Sequence, residues 1–241
     1  MKILIVADEE SKYIWDYYDQ KMFDEISFII SAGDLKAKYL SFLTTVARKY
    51  VFYVYGNHDH KYEADPPEGC EPIDDRIVYY QGLRILGLGG SFRYKDGPYQ
   101  YTEREMKRRI RKLRLMIDQF GGFDILVTHS PARGFGDGED LCHTGFESFI
   151  DLIQKYKPSY MLHGHQHLNY SRKIQRIQHL DQTTIVNGYS YHILDYHGNG
   201  FQYPSLSGLR KQLNSLRFHL RYQGSDTMKA YRRYKKDRAK K

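Results

Sequence analysis

Short runs of apolar, β-branched and aromatic residues recur along the chain, and each run ends at polar residues or glycine. Such runs occupy Lys2–Ala7, Ser27–Ala32, Val51–Tyr55, Ile125–Thr128 and Tyr160–Leu162. Short apolar runs bounded by glycine and polar residues are typical of buried strands. The pattern therefore predicts five strands that stop where chemically active side chains begin.

Helical periodicity occupies several of the intervals between these strands. The interval from Ala37 to Tyr50 carries an apolar stripe, and Thr102 with Glu105 forms a capping-box pair for a helix that reaches about Gln119. The basic groups on that second helix are expected to lie largely on its solvent side. This β-α-β alternation favours an α/β layer with functional loops at the carboxyl ends of its strands.

The remaining elements are predicted from shorter patterns. A helix is expected near Phe146–Tyr156, and Ile77–Tyr80 with Leu83–Leu88 is typical of a hairpin. Residues after position 170 alternate between apolar and polar types, which predicts consecutive strands that close a second sheet. These strands are expected near Arg172–Gln178, Thr184–Val186 and Tyr189–Asp195.

Composition and charge divide the chain into a body and a tail. With 241 residues and 41% apolar residues, the chain can bury one substantial core, so we expect one domain over residues 1–204. Residues 205–241 hold twelve Lys or Arg and two acids, which leaves −2 of the total charge of +8 for the body. The excess positive charge therefore lies in residues 205–241.

The tail begins with a predicted basic amphipathic helix, since leucines recur at three- and four-residue spacing among arginines and lysines. These leucines are expected to dock on the body or on a second subunit. The alternative is that the helix contacts RNA or an anionic membrane surface. Residues 224–241 are expected to be mobile unless bound. The leucines are Leu206, Leu209, Leu213, Leu216 and Leu220.

The chain shows no sign of a membrane or disulfide-dependent class. The apolar start at Met1–Ala7 is too short for a secretory or spanning segment, and Cys70 and Cys142 cannot form a disulfide framework. We therefore expect a cytoplasmic protein with no transmembrane segment.

Carboxylates, an amide and imidazoles follow the predicted strands. Asp8-Glu9-Glu10, Gly33-Asp34, Gly56-Asn57-His58-Asp59, His129 and the run from His163 to His167 each come directly after a strand. Oxygen and imidazole ligands without thiolate suit Mn, Fe or Zn. Two such ions about 3.5–4 Å apart can clamp a phosphoryl group and generate hydroxide, so the pattern indicates phosphoester hydrolysis.

The order of these motifs resembles the calcineurin-like metallophosphoesterase superfamily over about residues 1–197. The resemblance implies an α/β fold made of a four-layer α/β/β/α sandwich, with the basic tail outside it. It also implies two divalent metal ions, a phosphoester substrate (mono- or diester) and ligands at matching positions: Asp34 bridging both ions, Asp8 and His167 on the first, and Asn57, His129 and His165 on the second.

The resemblance also implies the catalytic roles. A metal-bound hydroxide would attack phosphorus in line, and His58 would act as general acid on the departing oxygen. Asp59 would orient His58 or a ligand, or only fix the turn. His60 and His163 match no ligand position of the motif.

One position departs from the family pattern. The family usually has Asp-x-His in its first motif, whereas this chain has Asp8-Glu9-Glu10. Glu10 is predicted to ligate the first ion and to favour harder ions, with Mn²⁺ ahead of Fe or Zn. The alternative is that Glu10 points away and leaves the first site weak.

Three functions remain open from the sequence. The first is a metal-dependent phosphoesterase, which the presence of His58 favours. The second is a phosphate- or nucleotide-binding regulator with an impaired first metal site. The third is an RNA-associated protein that acts through its basic tail, either alone or as an oligomer.

Overall fold

A computed structural model describes residues 1–170, 174–198 and 208–240 of the chain. The strands are β1 (Lys2–Ala7), β2 (Ile26–Ser31), β3 (Val51–Tyr53), β4 (Cys70–Pro72), β5 (Arg76–Tyr80), β6 (Leu83–Leu88), β7 (Ser91–Phe92), β8 (Gln100–Tyr101), β9 (Ile125–Thr128), β10 (Tyr160–His163), β11 (Ile177–Leu180), β12 (Thr183–Asn187) and β13 (Ser190–Asp195). The helices are α1 (Lys12–Asp16), α2 (Lys21–Asp24), α3 (Ala37–Ala47), α4 (Glu103–Phe120), α5 (Glu147–Tyr156), α6 (Gly208–Tyr222) and α7 (Asp226–Arg238), with a 3₁₀ helix at Asp59–Glu63.

Two sheets pack face to face. The first has the strand order β13-β1-β2-β3-β4, and the second has the order β11-β12-β10-β9-β6-β5. Alternate side chains of the strands point to opposite faces, so Ile3 and Ile5 of β1 enter the core between the sheets while Leu4 and Val6 face the helices outside.

Helices cover the outer face of each sheet. Phe23 of α2 and Leu40 of α3 pack on the first sheet, and Met116 of α4 and Phe149 of α5 pack on the second. The predicted four-layer α/β/β/α sandwich is therefore confirmed.

The predicted helix signals are confirmed at α4. The Glu105 N–H donates to Thr102 Oγ1 (3.3 Å), and the Thr102 N–H donates to Glu105 Oε2 (2.8 Å), which closes the capping box. The predicted hairpin is present as β5 and β6, which pair antiparallel.

The last strands differ from the expectation that all three close the second sheet. Strands β11 and β12 do pair in that sheet, whereas β13 crosses to the first sheet and pairs antiparallel with β1. Strand β11 begins at Ile177, later than predicted, and the predicted start at Arg172 lies outside the described residues.

The C-terminal helices belong to the outer helical layer, which differs from the expected mobile end. Phe218 of α6 and Met228, Tyr231 and Tyr234 of α7 are buried in the core that α4 and α5 form with the second sheet. The predicted docking on the body is wrong for Leu216 and Leu220, which are 58% and 69% exposed, and docking on a second subunit stays a prediction. Leu206 lies outside the described residues.

The parallel strands fix where the functional loops meet. Strands β1, β2 and β3 run parallel in the first sheet, and β6, β9 and β10 run parallel in the second. Their carboxyl ends lie at one edge of the sandwich, where a ligand site of an α/β sheet is expected. Within the described part of the chain, none of the helices is long and apolar enough to cross a bilayer.

Candidate metal centre

Main-chain hydrogen bonds join the strand ends that carry the predicted site residues. The Asp8 N–H donates to the Gly33 carbonyl (3.1 Å), which links the ends of β1 and β2. The Gly164 N–H donates to the His129 carbonyl (3.0 Å), which links the ends of β9 and β10. Main-chain hydrogen bonds between the strand ends therefore position the loops, independently of their side chains.

Three site residues have left-handed backbone conformations. The φ angles are 65° at Asp8, 58° at Asp34 and 68° at His165. Aspartate tolerates this region better than most residues, whereas histidine there is uncommon. Strain of this kind clusters at functional sites, where the surrounding structure enforces it.

Two glycines allow the carboxylates to approach the backbone. A Cβ on Gly56 would lie 2.0 Å from Asp34 Oδ1, and a Cβ on Gly164 would lie 2.7 Å from Asp8 Oδ2. Any side chain at either position would displace a predicted metal ligand. The glycines in the Gly-Asn-His-Asp and Gly-His-Gln-His motifs are therefore required by packing at the site.

Four predicted ligands converge on one point. Nε2 of His129 lies 3.2 Å from Asp34 Oδ2, 3.1 Å from Asn57 Oδ1 and 3.1 Å from His165 Nδ1. These are the bridging residue and the three ligands that the sequence assigned to the second ion. The structure brings all four together.

Main-chain carbonyls hold both imidazole rings. Nδ1 of His129 donates to the Ala32 carbonyl (2.8 Å), and Nε2 of His165 donates to the Cys142 carbonyl (2.7 Å). Such a bond fixes which nitrogen carries the proton and which presents its lone pair. In the neutral rings the lone-pair nitrogens are then His129 Nε2 and His165 Nδ1, the two that face each other and Asp34.

This donor set fits a divalent metal ion. Ligand atoms of Asp34, His129 and His165 all lie within 4.8 Å of one another. Separations of 3.1 and 3.2 Å are those of neighbouring ligands on a single ion that bonds nitrogen and oxygen at about 2.1 Å. A carboxylate, an amide oxygen and two imidazoles suit Mn, Fe or Zn.

The electrostatics of the site follow from burial and close charges. Burial opposes the charged form of both Asp34 and His129, but their ion pair prevails, lowering the pKa of Asp34 to about 2 and raising the pKa of His129 to about 10. Burial and the adjacent His129 charge lower the pKa of His165 to about 3. A metal ion at His129 would take the place of a proton.

The residues predicted for the first ion are less closely grouped. The Asp8 carboxylate accepts from the His165 N–H (2.8 and 2.9 Å), and burial raises the pKa of Asp8 to about 7. The ring of His167 lies between Tyr170 and Tyr189, with centroids 4.6 and 4.8 Å away. Among the described residues, the three-donor groups that could hold a metal include neither Asp8 nor His167.

Glu10 contacts a lysine at the start of α3. Its Oε1 accepts from the Lys36 N–H (3.1 Å), and its Oε2 pairs with Lys36 Nζ (2.8 Å). Both carboxylate oxygens therefore contact Lys36, and Glu10 belongs to no three-donor group of the described residues. Glu10 also lines the same cavity as Asp8, so its role as a ligand of the first ion stays a prediction.

The predicted catalytic pair lies beside the ligands. His58 is exposed and lines a cavity of about 980 Å³ that also borders Asp8 and Asp34. The His58 N–H donates to Asp34 Oδ1 (2.8 Å). Asp59 is buried, and its Oδ2 accepts from the N–H groups of Gly56 (2.7 Å) and Asp34 (2.8 Å), so it ties two motif loops together.

Sequence reasoning missed several residues that contact the ligands. The Asn57 amide donates to the Tyr94 hydroxyl (3.4 Å), and the Cys142 carbonyl holds His165. Neither contact has a sequence signal, since one depends on a distant loop and the other on a carbonyl that every residue has. Asp140, Cys142 and His143 form a second three-donor group, with the His143 ring 5.4 Å from that of His165.

The chain belongs to the calcineurin-like phosphoesterase family. The family model matches residues 1–169, which contain every predicted ligand and the predicted acid. Metal-dependent phosphoester hydrolysis is the chemistry of this family, and the converging donors give the chain a candidate metal site for it.

The individual proteins to which this chain is similar have low sequence identity to it. An uncharacterized protein of Haemophilus influenzae is 26% identical over 197 residues, covering 70% of this chain and 84% of the relative. One solved structure has 14% identity and a TM-score of 0.60, covering 84% of this chain and 99% of its own. An archaeal phosphodiesterase has 13% identity and a TM-score of 0.37, and the match covers 78% of this chain and 84% of the phosphodiesterase. The solved structure with the TM-score of 0.60 shows a shared fold.

Proposed function

We propose that this protein hydrolyses a phosphoester, mono- or diester, at a dinuclear metal centre. One observation carries the proposal: Asp34, Asn57, His129 and His165 direct four donor atoms to one point, and carbonyls hold the unused nitrogen of each ring. Rings oriented in this way favour binding of a metal over a simple hydrogen-bond network.

The ligands divide between two ions. Asp34 would contact both, Asn57, His129 and His165 would hold the second, and Asp8 with His167 would hold the first. Bound divalent ions would supply Lewis-acid stabilisation of the phosphoryl oxygens and an activated water. We propose Mn²⁺ for these ions, ahead of Fe or Zn, because oxygen ligands dominate the first site.

His58 is the proposed general acid. Its main chain is tied to Asp34, so its ring enters the cavity from a fixed position next to the ligands. From there it can donate a proton to the departing alkoxide. Asp59 positions the loop that carries His58, through its bonds to Gly56 and Asp34.

A regulator that binds phosphate without turnover is the second candidate. It is favoured by the Glu10–Lys36 pair, because a carboxylate paired with a lysine is less available to the first ion. A cytoplasmic location, oligomer formation and nucleic-acid or membrane contact through residues 205–241 remain predictions.

Metal content and turnover measured together separate the two candidates. Protein stripped of metal and refilled with Mn²⁺, Zn²⁺ or Fe²⁺ would be assayed on mono-aryl and bis-aryl phosphates. Two ions per chain with metal-dependent turnover are expected for the enzyme, and His129→Ala should lose the second ion and the turnover. His179→Ala, an exposed histidine on β11, is the matched control. One ion and no turnover with any metal would instead support the regulator.

A further inference from the structure

A second cavity lies at the end of β3 that is opposite the proposed metal centre. It has a volume of about 240 Å³ and lies between α7 and the strands β3 and β5. Tyr50, just before β3, lines it, whereas the metal ligands follow the opposite end of that strand. A volume of this size is below that of a typical drug-sized pocket, so the cavity suits one planar ring with an attached group.

One wall of the cavity is an aromatic cluster. The Tyr50 ring lies 5.0 Å from that of Tyr80 and 6.3 Å from that of Phe52, and it stacks on Phe52 at an interplanar angle of 11°. Phe52 is buried, whereas Tyr50 is 58% exposed. The cluster therefore contacts part of the Tyr50 ring and leaves more than half of the residue exposed to a ligand.

The other wall is the basic side of α7. Lys229 and Arg233 line the cavity, and Lys236 continues the row at a spacing of four and three residues. The row lies opposite Met228, Tyr231 and Tyr234, which are buried against the body. At 1.5 Å per residue it spans about 10 Å, so it places a short line of positive charge beside the aromatic wall.

Two acids line the cavity, and each is paired with a cation. Asp226 pairs with Lys229 (2.8 Å), and Glu71 pairs with Arg76 (3.0 Å). Asp226 and Lys229 are 66% and 72% exposed, and pairs of this kind are weak and easily exchanged. Lys229, Arg233 and Lys236 can therefore turn toward an external anion.

We propose that this cavity and the basic row of α7 bind single-stranded nucleic acid. One base would stack on Tyr50, and the adjoining phosphates would follow Lys229, Arg233 and Lys236. An exposed aromatic beside a line of cations is the arrangement that binds single strands with little sequence preference. The inference does not depend on the metal centre, since none of these residues contacts it.

The test uses the full chain and a fluorescent twelve-nucleotide oligo-uridine, with binding followed by anisotropy at several salt concentrations. Three phosphate contacts predict a slope of about −2 for log affinity against log salt. Tyr50→Ala is expected to weaken binding about tenfold and Tyr50→Phe to retain it, because stacking needs the ring and not the hydroxyl. Arg233→Glu should weaken binding at least tenfold.

Arg104→Glu on α4 is the charge-matched control, since Arg104 is exposed and lies outside the cavity. It should change the affinity less than twofold. Equal losses for Arg233→Glu and Arg104→Glu would overturn the proposal, because net charge alone would then explain binding. Binding to vesicles of anionic lipid without binding to the oligonucleotide would also overturn it. Turnover of aryl phosphates should be unchanged in Tyr50→Ala, which separates this site from the proposed enzyme.

Discussion

Main-chain carbonyls orient the imidazoles of the candidate centre. Ala32 comes just before the Gly-Asp motif, and Cys142 lies in the long loop after β9, yet both hold rings from the second sheet. The ligand types could be predicted from sequence because Asp, Asn and His carry their chemistry in the side chain. The carbonyl partners could not, because the fold alone decides which carbonyl faces a ring.

The proposed acid role of His58 predicts a dependence on the leaving group. His58→Ala should lower turnover of an alkyl phosphate by about 10²–10⁴-fold, because the alkoxide then leaves without a proton. A nitrophenyl ester should lose much less, since its leaving group is stable as an anion. Steady-state kinetics on the two esters, with metal content measured in parallel, checks this.

His60→Ala provides the control for that experiment, since His60 is exposed in the same loop and lines the same cavity. It should leave both rates near those of the unmodified protein. An equal loss on both esters in His58→Ala would instead indicate a role in binding or in loop structure.

The contact between Glu10 and Lys36 predicts a structural role for the carboxylate. Glu10→Ala should retain the metal content and reduce stability by about 1 kcal/mol, because it removes a surface ion pair and an anion at the start of α3. Lys36→Ala should have a similar effect. Loss of one ion in Glu10→Ala but not in Lys36→Ala, measured by metal analysis, would make Glu10 a ligand of the first site.

At the scale of elements, Arg109 of α4 shows where the sequence was misread. The basic residues of α4 are expected largely on its solvent side, yet Arg109 lies three residues after Met106 and four before Leu113, which places it on the inward stripe. Its partners Asp74 and Asp75 are more than 30 residues away in the chain. Helical spacing favours the inward side and charge favours the solvent side, and the distant acidic partners that decide between them are not visible in a sequence.

Arg109 links α4 to the loop before the Gly-Asn-His-Asp motif. It contacts Asp74 (3.1 Å), which in turn accepts from the Tyr55 N–H (2.8 Å), and it donates to the Gly89 carbonyl (2.7 Å). Burial raises the pKa of Asp74, and the arginine opposes that rise. Arg109→Met should cost about 3–5 kcal/mol, because it leaves a buried carboxylate without its cation.

Urea unfolding of Arg109→Met measures this loss, with Arg108→Met as the exposed neighbour that should change stability by about 0.5 kcal/mol or less. Adding Asp74→Asn to Arg109→Met should recover part of the stability, since the uncompensated charge is removed. A loss in Arg108→Met as large as that in Arg109→Met would refute the buried network.

At the scale of the whole molecule, the two main errors concern contacts between distant parts of the chain. The sequence predicted most strands and helices within a few residues. Helical periodicity and short apolar runs depend only on residues that are close together in the chain. It did not predict that β13 joins β1, since sequence neighbours need not be neighbours in a sheet. It also treated residues 224–241 as a polar tail, although Met228, Tyr231 and Tyr234 recur every three residues on one side of α7.

The packing of α6 and α7 predicts that the C-terminal residues stabilise the body. The Phe218 ring is fully buried and lies 4.9 Å from that of Tyr231 and 6.5 Å from that of Phe120 on α4. Phe218→Ala should therefore lower the free energy of unfolding by about 3–5 kcal/mol through lost burial and a cavity. Leu216→Ala on the exposed side of α6 should change it by about 0.5 kcal/mol or less. Thermal unfolding of the two variants compares the two faces directly, and equal, small effects would mean that residues 205–241 form a detached tail after all.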